Sequence, residues 1–216
     1  MKLLFLLLLL TLIVSCGKKD DKNLEEKTQR ELVVENENLE RKATLLENDL
    51  ARKQEFYTAV EGTYEGTFMA GEKEFKTRMT LIPSLPPYTS NRIRTLEEVT
   101  ADLNNLSFSL QTTHWNAKGT AVASGCIFSE IRPDYDNGQI AVAAENCANV
   151  YKVSLFDSSD RSGDGPIKTS EVLQKSRSIS KRILNNEIKE VNEIHVVIQP
   201  TLVAKTFIAV LKRVQP

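Results

Sequence analysis

The sequence predicts a mainly β protein: an antiparallel barrel or sandwich of about eight strands, preceded by a long N-terminal helix of coiled-coil character. Two observations carry this reading. From Lys22 to Tyr57 there is no Gly and no Pro, and Leu32, Leu39 and Leu46 recur every seven residues. From about residue 60 the apolar period falls from seven to two, in short runs separated by turn residues.

In the helix the leucines take d positions, and Gln29, Asn36, Ala43, Leu50 and Tyr57 take a positions. Glu26–Arg30, Glu37–Arg41 and Asp49–Lys53 are correctly oriented i,i+4 pairs. Asn36 at a weakens a seam but fixes its register. The flanks do not decide a partner: Glu35 facing Glu40 repels in a parallel pair, whereas Lys42 facing Glu47 attracts. Three outcomes stay open, namely self-association, docking onto the following domain, or a lone spacer. A free-standing helix of this length spans about 54 Å at 1.5 Å per residue.

Tyr64–Phe68 and Phe75–Leu81 alternate around a turn at Met69–Lys73, and Leu106–Leu110 alternates with serines outward. Thr120–Phe128 and Gln139–Ala144 flank the turn signal Asp136-Asn137-Gly138. Val150–Phe156, Glu193–Gln199 and Lys205–Val214 complete the strands. Pro83, Pro86 and Pro87 are expected to interrupt pairing after the second strand. Thr95–Asn104 reads as a short helix with Thr95 as N-cap and Glu98 three residues on. Ser170–Asn186 reads as another, with Val172, Leu173, Ile179, Ile183 and Leu184 roughly on one face. Eight strands at this spacing fit a barrel or a sandwich. Gly62–Phe68 resembles the opening strand of lipocalin-like barrels, which implies room for one small apolar ligand; a core filled by side chains is the competing expectation.

The first fifteen residues form a different kind of segment. Lys2 precedes an apolar run from Leu3 to Val14 broken only by Thr11. Twelve helical residues span about 18 Å, short of a hydrocarbon core of about 30 Å. The pattern is that of a secretory signal peptide. Ile13-Val14-Ser15-Cys16 resembles the lipobox of bacterial lipoproteins. That resemblance implies a diacylglyceryl group on the Cys16 sulfur, cleavage before Cys16, and acylation (palmitate-type) of the new N-terminus. Several acyl chains anchor stably where one would be marginal. The residue after the cysteine is Gly17 rather than Asp, which by the same resemblance favours the outer membrane over the inner, on its periplasmic or surface side. The chain therefore divides into a signal peptide (1–15), a lipidated tether (16–22), a helix (23–57) and a β-rich domain (58–216).

The whole chain has 28 basic and 29 acidic residues. A near-neutral balance argues against a nucleic-acid partner held by a basic face. With Cys16 taken by lipid, Cys126 and Cys147 remain, and export places them in an oxidising compartment. They flank the Asp136-Asn137-Gly138 turn and are expected to form a structural disulfide across the hairpin, stabilising the fold by roughly 3 kcal/mol.

Asp160 to Glu171 resembles a twelve-residue EF-hand calcium loop. The resemblance implies Ca²⁺ oxygen ligands from Asp160, Ser162, Asp164, the Pro166 carbonyl and bidentate Glu171, with Gly165 at the turn. Lys168 stands where the family places an oxygen, and Pro166 restricts its backbone. A solvated loop is the competing reading, so no cofactor is required. His114 and His195 are separated by 81 residues, and each is expected at the surface. Lys175, Arg177, Lys181 and Arg182 form a basic cluster expected on a solvated helix face. No nucleophile–base pair or phosphate loop is visible, so the expectation is a binding or interaction module of the cell envelope and not an enzyme. A structural protein oligomerising through residues 23–57, or a small-ligand barrel, are the alternatives. An envelope partner is expected, of a kind the residues do not identify.

Overall fold

A computed structural model describes residues 2–86, 94–123, 126–142, 147, 149–157, 169–200 and 206–214, with side chains from Thr28 onward except at 122, 123 and 169. Helix α1 runs from Lys2 to Val60. It is followed by β1 (Gly62–Ala70), β2 (Lys73–Ser84), α2 (Leu96–Asn105), β3 (Ser107–Asn116), β4 (Ala121–Ala123) and β5 (Ile127–Ile131). Then come β6 (Gln139–Val142), β7 (Asn149–Phe156), α3 (Thr169–Leu184), β8 (Glu193–Pro200) and β9 (Phe207–Arg213).

The strands form one antiparallel sheet in the order β4-β3-β2-β1-β9-β8-β7-β6. β5 also pairs with β3, so β4 and β5 share one strand position and the sheet has eight positions, curled into a nearly closed barrel. One seam, between β5 and β6, is not bridged by a ladder; there the two edges border a groove of about 430 Å³.

Alternation decides the inner face. Tyr64 of β1, Met79 and Leu81 of β2, and Phe108 and Leu110 of β3 are almost fully buried. They meet Val153 and Leu155 of β7, Ile194 and Val196 of β8, and Ala209 and Leu211 of β9 in one core. Gly66 is required where β1 passes β9: a Cβ there would lie 2.1 Å from the Val210 carbonyl oxygen.

β7 from Val153 on and the first half of β8 are buried on both faces because α3 lies on the outside of the barrel, so that even the outward Ser154, Glu193 and His195 are buried. The helix is pinned by Ser176, fully buried, whose hydroxyl donates to the Gly138 carbonyl (2.6 Å) and accepts from the Leu155 N–H (3.0 Å). Gly138 has φ +62°, and a Cβ on it would meet the Ser176 carbonyl at 2.3 Å.

α1 closes one end of the barrel. Phe56, Tyr57, Ala59 and Val60 are buried, and Tyr57 packs on Phe108 (ring centroids 4.3 Å) while Phe56 meets Tyr135 edge-on (5.2 Å). Burial pushes the Tyr57 and Tyr135 phenols up from their ordinary values. α2 packs beside α1, its start fixed by the expected capping box: Thr95 Oγ accepts from Glu98 N–H (3.2 Å), and Thr95 N–H donates to the Glu98 carboxylate (2.9 Å).

Three expectations are corrected. Pro83 does not end pairing: β2 continues to Ser84 against β3, with Pro83 opposite Phe108. β1 begins opposite Leu81, so beyond that point β2 has no partner on its other side and the missing donor is harmless. Thr120–Phe128 is not one strand; β4 and β5 are separate pieces, and β5 carries a bulge with Glu130 at φ 57°. β5 and β6 also do not form a hydrogen-bonded hairpin; each pairs elsewhere, β5 with β3 and β6 with β7.

Candidate functional site

The seam explains where the cysteines sit. Cys126 directly precedes β5, and Cys147 lies between β6 and β7. Their disulfide joins Cα atoms 6.0 Å apart and spans 21 residues of sequence. The β5–β6 connection ties one end of the seam, where Asp134 and Gln139 form an isolated bridge, and the disulfide ties the other. It is a barrel clasp rather than a cross-hairpin link.

Both histidines are buried, contrary to the surface positions expected, because the elements around them are covered. His114 (6% exposed) continues the inward row Phe108, Leu110, Thr112 of β3. It lies near the barrel end opposite α1. There the Tyr151 hydroxyl of β7 is the hub of a polar group. Thr112 Oγ1 donates to it (3.3 Å), Asn149 Nδ2 donates to it (3.1 Å), and His114 Nε2 lies 2.8 Å away. His114 Nδ1 is buried with no hydrogen-bond partner among the described residues. Burial lowers the His114 pKa, so the ring is neutral. Around this group stand Phe68, perpendicular to His114 at 5.6 Å, with Phe75 (5.4 Å) and Phe207 (5.6 Å) beside Phe68. These three phenylalanines are only partly buried, unlike the sealed aromatics at the α1 end.

His195 (5% exposed) is on the outer face of β8, under α3. Its Nε2–H donates to the Glu193 carboxylate at 2.9 Å, and the ring stacks on Phe156 at 4.3 Å. The second Glu193 oxygen has no hydrogen-bond partner among the described residues. Ser154, the cross-strand neighbour of His195, accepts from the Gln139 amide (3.1 Å) rather than bonding the imidazole. A cleft of about 80 Å³ lies here between Val172 and Leu173 of α3 and the sheet. That volume is too small for a drug-sized molecule.

The remaining predicted residues separate. Cys16 lies in the N-terminal part of α1, where the backbone alone is described. Asp160, Ser162, Asp164 and Pro166 lie outside the described residues. Glu171 is in the first turn of α3 and pairs with Lys175 (3.3 Å). Among the described residues no cluster of three metal-ligating side chains occurs. The basic cluster is partly engaged within the fold. Lys175 sits over Phe156 (5.3 Å), Arg177 Nε donates to Asn137 Oδ1 (2.7 Å), and Arg182 faces Glu187 (3.9 Å).

The heptad seam of α1 is used in two ways. From Ala43 onward its a and d positions face the domain: Ala43, Leu46 and Lys53 are half-buried, and Leu50, Tyr57 and Val60 are buried. The same seam N-terminal to this is uncovered, with Leu32 58% and Leu39 47% exposed. Val33, Val34 and Leu45 add exposed apolar surface nearby.

Among the described residues no helix is long and apolar enough to cross a membrane. Comparison with protein-family models, with curated proteins and with solved structures found no match.

Proposed function

We propose that this protein is a lipid-anchored module of the cell envelope, which presents a ligand-engaging β-barrel on a helical spacer. The supporting observation is that α1 packs against the barrel domain only from Ala43 to Val60, with its buried residues between Leu50 and Val60, while Thr28–Lys42 projects uncovered. After cleavage before Cys16, residues 17–42 would add about 39 Å of helix between the lipid and the domain. The end plugged by Tyr57 and Phe108 then faces the tether, and the end holding His114 and Tyr151 faces away. The outer membrane is the favoured site because Gly17 follows Cys16. Cys16→Ala in the native host tests the anchor: the variant leaves the membrane fraction, whereas retention of an acylated, membrane-bound variant contradicts the reading.

A second reading is favoured by the exposed Leu32 and Leu39. The half of the seam not covered by the domain pairs with the same stretch of a second copy, held parallel because both chains are anchored at the same end.

A further inference from the structure

We infer that the barrel end opposite α1 is a binding site for a small molecule with a carbonyl or carboxylate oxygen on an apolar body, and that His114 Nδ1–H is the donor that reads this oxygen. The inference deepens the binding-module reading and rests on it.

The proton on His114 is fixed by counting. A phenolic oxygen has one proton to give and two lone pairs. The lone pairs of Tyr151 are taken by Thr112 Oγ1–H and Asn149 Nδ2–H. Its own proton therefore goes to the remaining neighbour, His114 Nε2, at 2.8 Å. A neutral imidazole carries one proton, and with Nε2 accepting, that proton is on Nδ1. The atom left without a partner is thus a donor N–H in a residue that is 6% exposed.

Such a donor, left unpaired and out of water, is destabilising. A contact with the perpendicular Phe68 ring recovers a fraction of that at best. An entering acceptor oxygen recovers more. The Thr112–Tyr151–Asn149 group holds the tautomer, so the donor is preset. Phe68, Phe75 and Phe207 supply the apolar contact for the rest of the molecule, and their partial exposure puts them at the rim. Access requires Phe68 to turn away from the imidazole. A ligand ending in an ammonium group meets a donor and is rejected.

The test uses the mature chain labelled with ¹⁵N-histidine, titrated by NMR with decanoate, 2-decanone and decylamine. The free protein shows His114 as the Nδ1–H tautomer. Decanoate, 2-decanone or both shift its Nδ1 signal saturably, and which of them does so separates a carboxylate from a carbonyl ligand. Decylamine does not. His114→Phe, which keeps an aromatic in the row, weakens the responding probe by about tenfold or more, read by intrinsic fluorescence. An Nε2–H tautomer in the free protein overturns the inference, as does a signal unmoved by both oxygen-bearing probes at millimolar concentration. A bound water on Nδ1–H that neither probe displaces also overturns it. None of these outcomes bears on membrane release by Cys16→Ala, so the two readings fail separately.

Discussion

Arg213 Nη2 donates to the Tyr64 hydroxyl at 3.1 Å, with the guanidinium 5.4 Å above the same ring. The two residues tie four parts of the chain at the plugged end of the barrel. Arg213 also donates to the Ala59 carbonyl (2.8 Å) and the Val191 carbonyl (2.9 Å), and it pairs with Glu190 (3.0 Å). The Tyr64 hydroxyl shares its proton between the Val60 and Val191 carbonyls, at 2.9 and 3.1 Å. The end of α1 is thereby fastened to β1, β9 and the segment before β8. Burial pushes the Tyr64 phenol up to about 12 even beside this cation.

Arg213→Met keeps the stem but leaves the Ala59 carbonyl without its side-chain partner. A loss of about 2–4 kcal/mol is expected. Tyr64→Phe removes only the hydroxyl and is expected to cost about 1–3 kcal/mol. Urea unfolding of the mature soluble chain measures both. A midpoint unchanged in Arg213→Met contradicts the fastening role.

Replacing Cys126 and Cys147 together by Ser should lower stability by about 3 kcal/mol. The clasp account adds a local signature. Amide exchange should accelerate in β5 and β6 along the seam before it does in β1 and β2. Uniform acceleration across the sheet would place the effect in the unfolded chain alone.

Burial depresses the His114 pKa below its ordinary value near 6.5. The unfolded chain therefore binds a proton at pH values where the folded chain does not, so stability rises with pH through this range. The contribution is complete above about pH 6.5 and is lost as pH falls toward the folded-state pKa. Urea midpoints between about pH 7.5 and 5 should decline on the acid side, and His114→Phe should reduce that decline. Equal declines in both proteins contradict the assignment.

Leu32→Gln with Leu39→Gln removes apolar surface from the uncovered seam without touching the docked half. If the seam pairs with a second copy, light scattering shows the wild-type mature soluble chain as a dimer and the double variant as a monomer. A wild-type monomer at tens of micromolar rejects self-association and leaves the spacer role.

The local signals were legible where one face of an element meets the core. The Thr95–Glu98 capping box and the period of two in β1 and β2 follow from near neighbours in sequence, and the pairing of Cys126 with Cys147 from the assignment of Cys16 to lipid. Burial imposed from a distance was not legible. β3 runs on to Asn116 through Thr112 and His114, whose polar side chains hide the inward row; their parity with Phe108 and Leu110 is the signal that could have found it. Ser154, Glu193 and His195 are buried because α3 lies over them, and the clue was the apolar run Ile194, Val196, Val197, Ile198, which serves both faces of β8. The heptad seam marked an apolar stripe, and docking onto the following domain was one of the three outcomes it left open; from Ala43 onward the stripe is covered by the barrel, while Leu32 and Leu39 stay exposed. The oxygen ligands expected between Asp160 and Pro166 lie outside the described residues.

Intact mass spectrometry of the protein purified from its native membranes reads the N-terminal anchor itself. The account predicts a chain that begins at Cys16 and carries a diacylglyceryl thioether, with a further acyl group on the new N-terminus. A chain that begins elsewhere, or one with a free Cys16 thiol, would contradict it.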